Sequence, residues 1–273
     1  MFVRDSNKSD IQQAVLSLLK LALVFQTMGF AMEAFFYGSA IGKFFWLKFA
    51  MTDQLAFSVD RLIVASMLVL SLISLWKSYF SAFFAIFLYG LFRAFCIYYN
   101  GGSYSSDLAF FTQMARYTLP LALAISCLKM RSSLTFVWSI KIAIAATFVA
   151  HGFEALNLHP KFVDFIIKTF RIYLNVSVSE AACHYILFVI GAADILAALA
   201  LLTLNSKTAV VYMAFWGALT AVCRILYDPT NGLADTLSRV SHFAIPLALY
   251  MFYFSKAAGK HLLGRKNKLS LKS

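Results

Sequence analysis

Charge is scarce in this chain, and acid is scarcer than base: 13% of the 273 residues are charged, with 12 Asp or Glu against 24 Lys or Arg. A soluble domain is about 45 to 50% apolar. The 61% found here leaves too little polar surface to clothe one. Proline is also rare, at 4 residues, so long apolar runs go uninterrupted. The four cysteines, Cys96, Cys127, Cys183 and Cys223, stand singly in or beside those runs. With no C-x-x-C pair, a thiol-exchange centre or a paired-cysteine zinc site is excluded, and they read as small packing residues. The formal net charge of +12 does not indicate nucleic acid, because the basic residues are spread over loop ends and one tail and no soluble domain carries a binding face.

What is abundant is phenylalanine, 28 residues, within apolar runs of helix length. A bilayer core of about 30 Å takes roughly 20 residues at 1.5 Å each. Lipid offers the backbone no hydrogen bonds, so these runs must be helices, and the chain is read as an all-α integral membrane protein. The first run carries Lys20, Gln26 and Glu33 and lacks a short apolar core before a small-x-small site. It is therefore expected to stay as the first membrane helix.

An internal duplication organises the rest. The spacing from Lys20 to Glu33 equals that from Lys141 to Glu154, and an alanine, Ala34 or Ala155, follows each glutamate. Later, Leu119-Pro120-Leu121-Ala122-Leu123 is answered by Ile245-Pro246-Leu247-Ala248-Leu249. The pattern predicts eight transmembrane helices as two tandem four-helix bundles, residues 1–130 and 131–256, followed by a basic tail, 257–273. The second helix is expected to start near Asp60. Short aromatic and basic segments, Gly42 to Phe49 and Pro160 to Arg171, are expected to lie flat at the interface. No broken pair of helices is evident in the pattern.

Lys and Arg in short loops set orientation. Arg4, Lys8, Lys77, Lys129, Arg131, Lys207 and the tail from Lys256 to Lys272 fall on one side, which is expected to be cytoplasmic in a cell inner membrane, with both termini there.

Ionisable residues within such runs are costly and so must face a protein interior. Each half brings one glutamate and one arginine to similar depth: Glu33 with Arg93, and Glu154 with Arg224. One reading makes both couples buried ion pairs that fix helix assembly, with Arg116 beside the first. The other gathers His151, Glu154, Asp194, Arg224 and His242 into a ligand site in the second half. His151 and Glu154 are three residues apart and share a helix face. Asp194 lies near the middle of its helix and needs a partner or a proton. Arg239 falls one turn before His242. No metal site is expected: haem would need two axial histidines at equal depth, and although His151, His184 and His242 all fall in the outer half, nothing beyond residue type supports it, while a di-iron bundle needs two Glu-x-x-His pairs and only a reversed His-x-x-Glu is present. Rings among Tyr98, Tyr99, Tyr104, Trp216 and Tyr227 are candidates to line a pocket.

Ala150-His151-Gly152-Phe153-Glu154-Ala155-Leu156, followed by Gly191-Ala192-Ala193-Asp194 in the next helix but one, resembles the DoxX-like family of small four-helix membrane proteins, over residues 134–256. That family's His-Gly pair falls on His151 and Gly152, and its acidic residue on Asp194. The first half departs from it, with Phe30 in place of His151 and no acid around Ala65-Ser66-Met67. The resemblance implies a redox-associated subunit that binds a quinone or a similar lipid-soluble molecule, with any electron donor supplied by a partner protein. A small-solute or lipid transporter and a non-catalytic scaffold or assembly factor remain alternatives. Whether the chain is an enzyme is left open.

A reporter fused after Ser273 should thus stay on the cytoplasmic side. Protease added to sealed cells is expected to spare it, and cleavage there would reverse the topology.

Overall fold

The computed structural model describes residues 6–101, 105–128, 133–230 and 232–252, with no side chains for 6–10 and 133. Among the described residues the regular structure is helical and there is no strand. Arg4, Lys129, Arg131, Tyr104 and the basic tail lie outside them.

The first half consists of α1 (Ser6–Met32), a π-helical turn (Glu33–Tyr37), α2 (Ala40–Phe49), α3 (Asp53–Trp76), α4 (Phe80–Asn100), a 3-10 turn (Ser106–Leu108), α5 (Ala109–Thr112) and α6 (Met114–Cys127). The second half repeats the order: α7 (Ser133–Leu156), α8 (Pro160–Tyr173), α9 (Glu180–Leu204), α10 (Lys207–Tyr227), α11 (Gly232–Ser238) and α12, residues 241–252. Among the described residues seven segments are long and apolar enough to cross a membrane. α11 and α12 occupy the place of the eighth expected helix, which the described residues follow only as far as 252.

Hydroxyl caps place the helix starts. The side chains of Ser39, Thr52, Ser179 and Ser206 each accept a hydrogen bond from a backbone N–H two or three residues on. The Thr52 cap starts α3 at Asp53, a full turn and more before the expected start at Asp60. Asp60 is fully buried inside that helix, where its Oδ2 accepts a bond from Ser39 Oγ at 2.7 Å. Its charge looked like a helix boundary because the partner that accommodates it sits on a different segment.

The expectation of unbroken helices is also corrected. The last helix of each half is interrupted at matching positions, Gln113 between α5 and α6, and Arg239-Val240 between α11 and α12. Bonds there tighten to three-residue spacing: Arg116 N to Gln113 O at 2.9 Å, Arg239 N to Thr236 O at 3.1 Å and His242 N to Arg239 O at 2.9 Å.

The halves share their largest core, to which Leu23 and Leu119 of the first and Ile144, Leu201 and Ile245 of the second contribute. α1 packs on α11, and α5 and α6 pack on α7. Thr147 Oγ1 accepts a bond from Ala115 N at 3.0 Å across this join. A Cβ at Gly29 would lie 2.3 Å from Ser238 N, so only glycine allows α1 this close to α11. α7 and α9 cross just as tightly at a glycine pair. A Cβ at Gly191 would stand 2.7 Å from the Gly152 carbonyl oxygen, and one at Gly152 would stand 2.9 Å from that of Gly191. Small residues at a crossing are the means by which membrane helices approach without a hydrophobic drive between them.

Gly191→Ala therefore meets backbone, and it is expected to cost about 1–3 kcal/mol through overpacking, beyond the roughly 1 kcal/mol gained in helix propensity. Gly90→Ala meets Tyr117 Cβ at 3.0 Å and its Cα at 3.2 Å, a looser approach that needs a shift of only a few tenths of an ångström, and it should cost less than Gly191→Ala. Melting temperatures of the two variants in detergent test the difference, and equal shifts would show that the α7–α9 crossing has slack.

Candidate functional site

A cavity of about 300 Å³ opens in the second half among α7, α8, α9, α10 and the start of α12. That is at the lower end of the range for small-molecule sites. His151, Asp194, Arg224 and His242, four of the expected ligand residues, line it. The fifth, Glu154, stands behind His151, with its Oε2 2.8 Å from His151 Nδ1.

The walls follow from helix periodicity. Phe162, Phe165, Ile166 and Phe170 fall on one face of α8 and close one side of the cavity. α8 begins at the His159 cap, whose Nδ1 accepts a bond from Lys161 N at 3.2 Å. Burial lowers the pKa of His159, in keeping with an unprotonated Nδ1. Two bonds tie the far end of α8 to the end of α10: Lys168 Nζ to the Tyr227 carbonyl, and Tyr173 Oη to the Leu226 carbonyl at 2.9 Å. The segment expected to lie flat at the interface thus also serves as a cavity wall. Trp216 lines the opposite side and stacks on Tyr212, while Tyr98 and Tyr99 are half exposed on α4, away from the cavity.

The polar groups have defined partners on one side and none on the other. Tyr212 Oη donates to Asp194 Oδ1 at 2.8 Å, which answers the need of a carboxylate inside an apolar helix. His242 Nδ1 lies 3.2 Å from the Arg239 carbonyl oxygen and so donates to it. His151 Nδ1 donates to Glu154 in the same way. With both Nδ1 atoms committed as donors, the neutral ring leaves Nε2 as a bare acceptor. Neither Nε2 has a hydrogen-bond partner among the described residues, and the two rings lie 5.7 Å apart.

The expected pairing of Glu154 with Arg224 is not formed, because Glu154 turns to His151 on its own helix. The pairing of Glu33 with Arg93 is formed, at 2.6 Å. Arg93 Nη1 also donates to Gln113 Oε1 at 3.0 Å, as Arg116 Nη1 does at 2.8 Å, and the Arg93 guanidinium lies 4.8 Å from the Phe30 ring centroid. Arg116 is buried with Gln113 as its side-chain partner and no carboxylate within 4.0 Å among the described residues.

The first half is filled where the second is open. Phe30, in the place of His151, packs on Tyr89 with ring centroids 5.9 Å apart, in a core that includes Phe44 and Val64. Gly90 and Gly217 both press against the last helix of their half, at Tyr117 and His242 respectively. The register this sets puts Tyr89 in the place of Trp216, and the Pro120–Pro246 match puts Arg116 in that of His242 and Gln113 in that of Arg239. It puts Arg93 opposite Thr220, so Arg93 and Arg224 are not equivalent positions. Five cavity residues, His151, Trp216, Thr220, Arg239 and His242, thus answer to residues that the first half uses to pack or to hydrogen-bond.

Residues that sequence reasoning left out of the site are Arg239, Thr220, Tyr212 and, in the first half, Asp60 and Gln113. Spacing from His242 pointed to Arg239. Nothing in the sequence singled out the others. The chain matches no protein-family model, no curated protein and no solved structure.

Glu33→Gln leaves the buried Arg93 without a counter-charge and is expected to cost about 3 kcal/mol and much of the folded yield. Glu154→Gln keeps an amide oxygen to accept from His151 Nδ1 and should fold nearly as the parent does. Size-exclusion profiles and melting temperatures of the two variants decide this, and equal losses would make Glu154 a structural residue too.

Proposed function

We propose that the chain is an inner-membrane protein of eight spans, both termini cytoplasmic, whose second half binds a quinone, its quinol, or a similar lipid-soluble molecule. The observation that carries this reading is that His151 and His242 line an aromatic-walled cavity and each keeps a buried imidazole Nε2 with no partner among the described residues. A flat apolar ring suits the walls of Phe165, Phe170 and Trp216. The hydroxyls of a quinol would donate to the two acceptors, and Glu154 behind His151 would balance a proton taken up by that ring. Asp194, held by Tyr212, supplies a second carboxylate at the opposite wall. The resemblance of residues 134–256 to the DoxX-like family points the same way. Electrons would pass to or from a partner protein, in a membrane environment that supplies the ligand.

Transport is the second reading. The matched interruptions at Gln113 and Arg239 favour it, since helices broken at corresponding positions of two repeats commonly build a transporter's binding site.

The test is identification of lipids carried by detergent-purified protein. Quinone or quinol is expected with the parent. His151→Phe, which installs the first half's own residue, should give a monodisperse protein carrying roughly tenfold less, the equivalent of one lost buried hydrogen bond of about 1.4 kcal/mol. Undiminished quinone in that variant would remove the cavity as its site. No quinone, together with uptake of a solute into vesicles, would favour transport.

A further inference from the structure

The arginines around the cavity are not balanced by acid. Arg93 is neutralised by Glu33 at 2.6 Å. Arg116, Arg224 and Arg239 have no carboxylate within 4.0 Å among the described residues. The strongest electrostatic influence from another charge on Arg224 is repulsion from Arg239, and Arg239 and Arg93 act on the buried Arg116 in the same sense. Asp235, on α11, is the acid that acts on all of these; the next is Glu154, already held by His151, for Arg224, and Glu33, already held by Arg93, for Arg116. Among the described residues the Nε atoms of Arg93, Arg116 and Arg239 are buried without a hydrogen-bond partner. Arg224 and Arg239 line the cavity together with the apolar face of α8, and the buried Arg116 acts electrostatically on His242, which also lines it.

Several guanidinium groups held together in a low-dielectric interior repel one another, and each loses hydration. Such a cluster persists when an anion completes it, and arginine suits a planar carboxylate or a phosphate through paired N–H donors. A free anion would leave the aromatic wall of the same cavity unused. An amphiphile uses both ends.

We infer that the cavity takes an amphiphile with an acidic head, a carboxylate or phosphate, held by Arg224 and Arg239 with Arg116 behind them, its apolar body lying against Phe165, Phe170 and Trp216. This rests on the reading of the cavity as a ligand site and narrows the class of ligand. A fatty acid fits it, whereas an uncharged quinol satisfies the histidines but leaves the arginines uncompensated.

Trp216 supplies a readout inside the cavity. Dibromostearate, whose bromines quench tryptophan, is titrated into the full-length protein in detergent, alongside its uncharged methyl ester, dibromostearyl phosphate, and stearate. Inorganic phosphate is added as a competitor. Trp216→Phe identifies the part of the quenching that comes from the cavity. The acid and the alkyl phosphate should quench at concentrations at least tenfold below the ester, stearate should reverse the effect, and inorganic phosphate should compete only weakly. Arg224→Gln with Arg239→Gln should bring acid and ester together, while Arg224→Lys, which keeps the charge, should retain part of the preference and controls for folding. Equal quenching by acid and ester would overturn the acidic head while leaving the cavity as a ligand site. Strong competition by inorganic phosphate would overturn the amphiphile in favour of a free anion. No quenching dependent on Trp216 by any probe would overturn both this inference and the cavity reading beneath it.

Discussion

Two glycines facing one another across α7 and α9 set the geometry on which the cavity depends. At Gly152 and Gly191 the backbones approach so closely that each carbonyl occupies the space a neighbouring Cβ would need. His151 precedes the first glycine, and Asp194 follows the second by three residues, so the crossing that brings the helices together also carries both groups to the cavity wall. Asp194, buried at this crossing, accepts from Tyr212 of α10, so a carboxylate that would be costly within an apolar helix is held in the interior. Packing and polarity are therefore one constraint here: small residues permit the approach, and the approach encloses the polar groups.

The same economy governs the join between the halves. α1 meets α11, α7 meets α5 and α6, and the core is continuous across them. The last helical segments of each half serve two purposes, packing on α4 or α10 of their own half and docking the first helix of the other. The interruption at Gln113 or Arg239 turns a residue towards the polar region just where the two halves meet. In the first half that residue is an amide whose oxygen accepts from two arginines. In the second it is an arginine.

Much of this was legible in the sequence, for a physical reason. A charged or imidazole side chain in an apolar run is expensive enough to mark an interior, so Glu33, His151, Glu154, Asp194 and His242 could be picked out, and the Lys20–Lys141 register exposed the repeat. The i,i+3 spacing of His151 and Glu154 already indicated a shared face. What could not be read was rotation between helices. Depth alone made Arg93 and Arg224 look equivalent, while the close-packed Gly90 and Gly217 show them to be one turn apart. A glutamate at the right depth has several candidate partners, and Glu154 found the one on its own helix. Asp60 was taken for a helix boundary because its partner, Ser39, lies twenty-one residues earlier on another segment. Capping by Thr52 was a local signal for the true start.

The covalent continuity of the two halves has a consequence for how such a site can evolve. In a symmetric dimer of single units every substitution appears twice, so a phenylalanine placed to plug one cavity would plug the other, and a histidine kept for binding would have to be buried in both. A chain that carries both units escapes that coupling. Phe30 and His151 can stand at matched positions, one copy committed to packing and the other to an opening, with the solid half bracing the hollow one in fixed one-to-one proportion at any concentration.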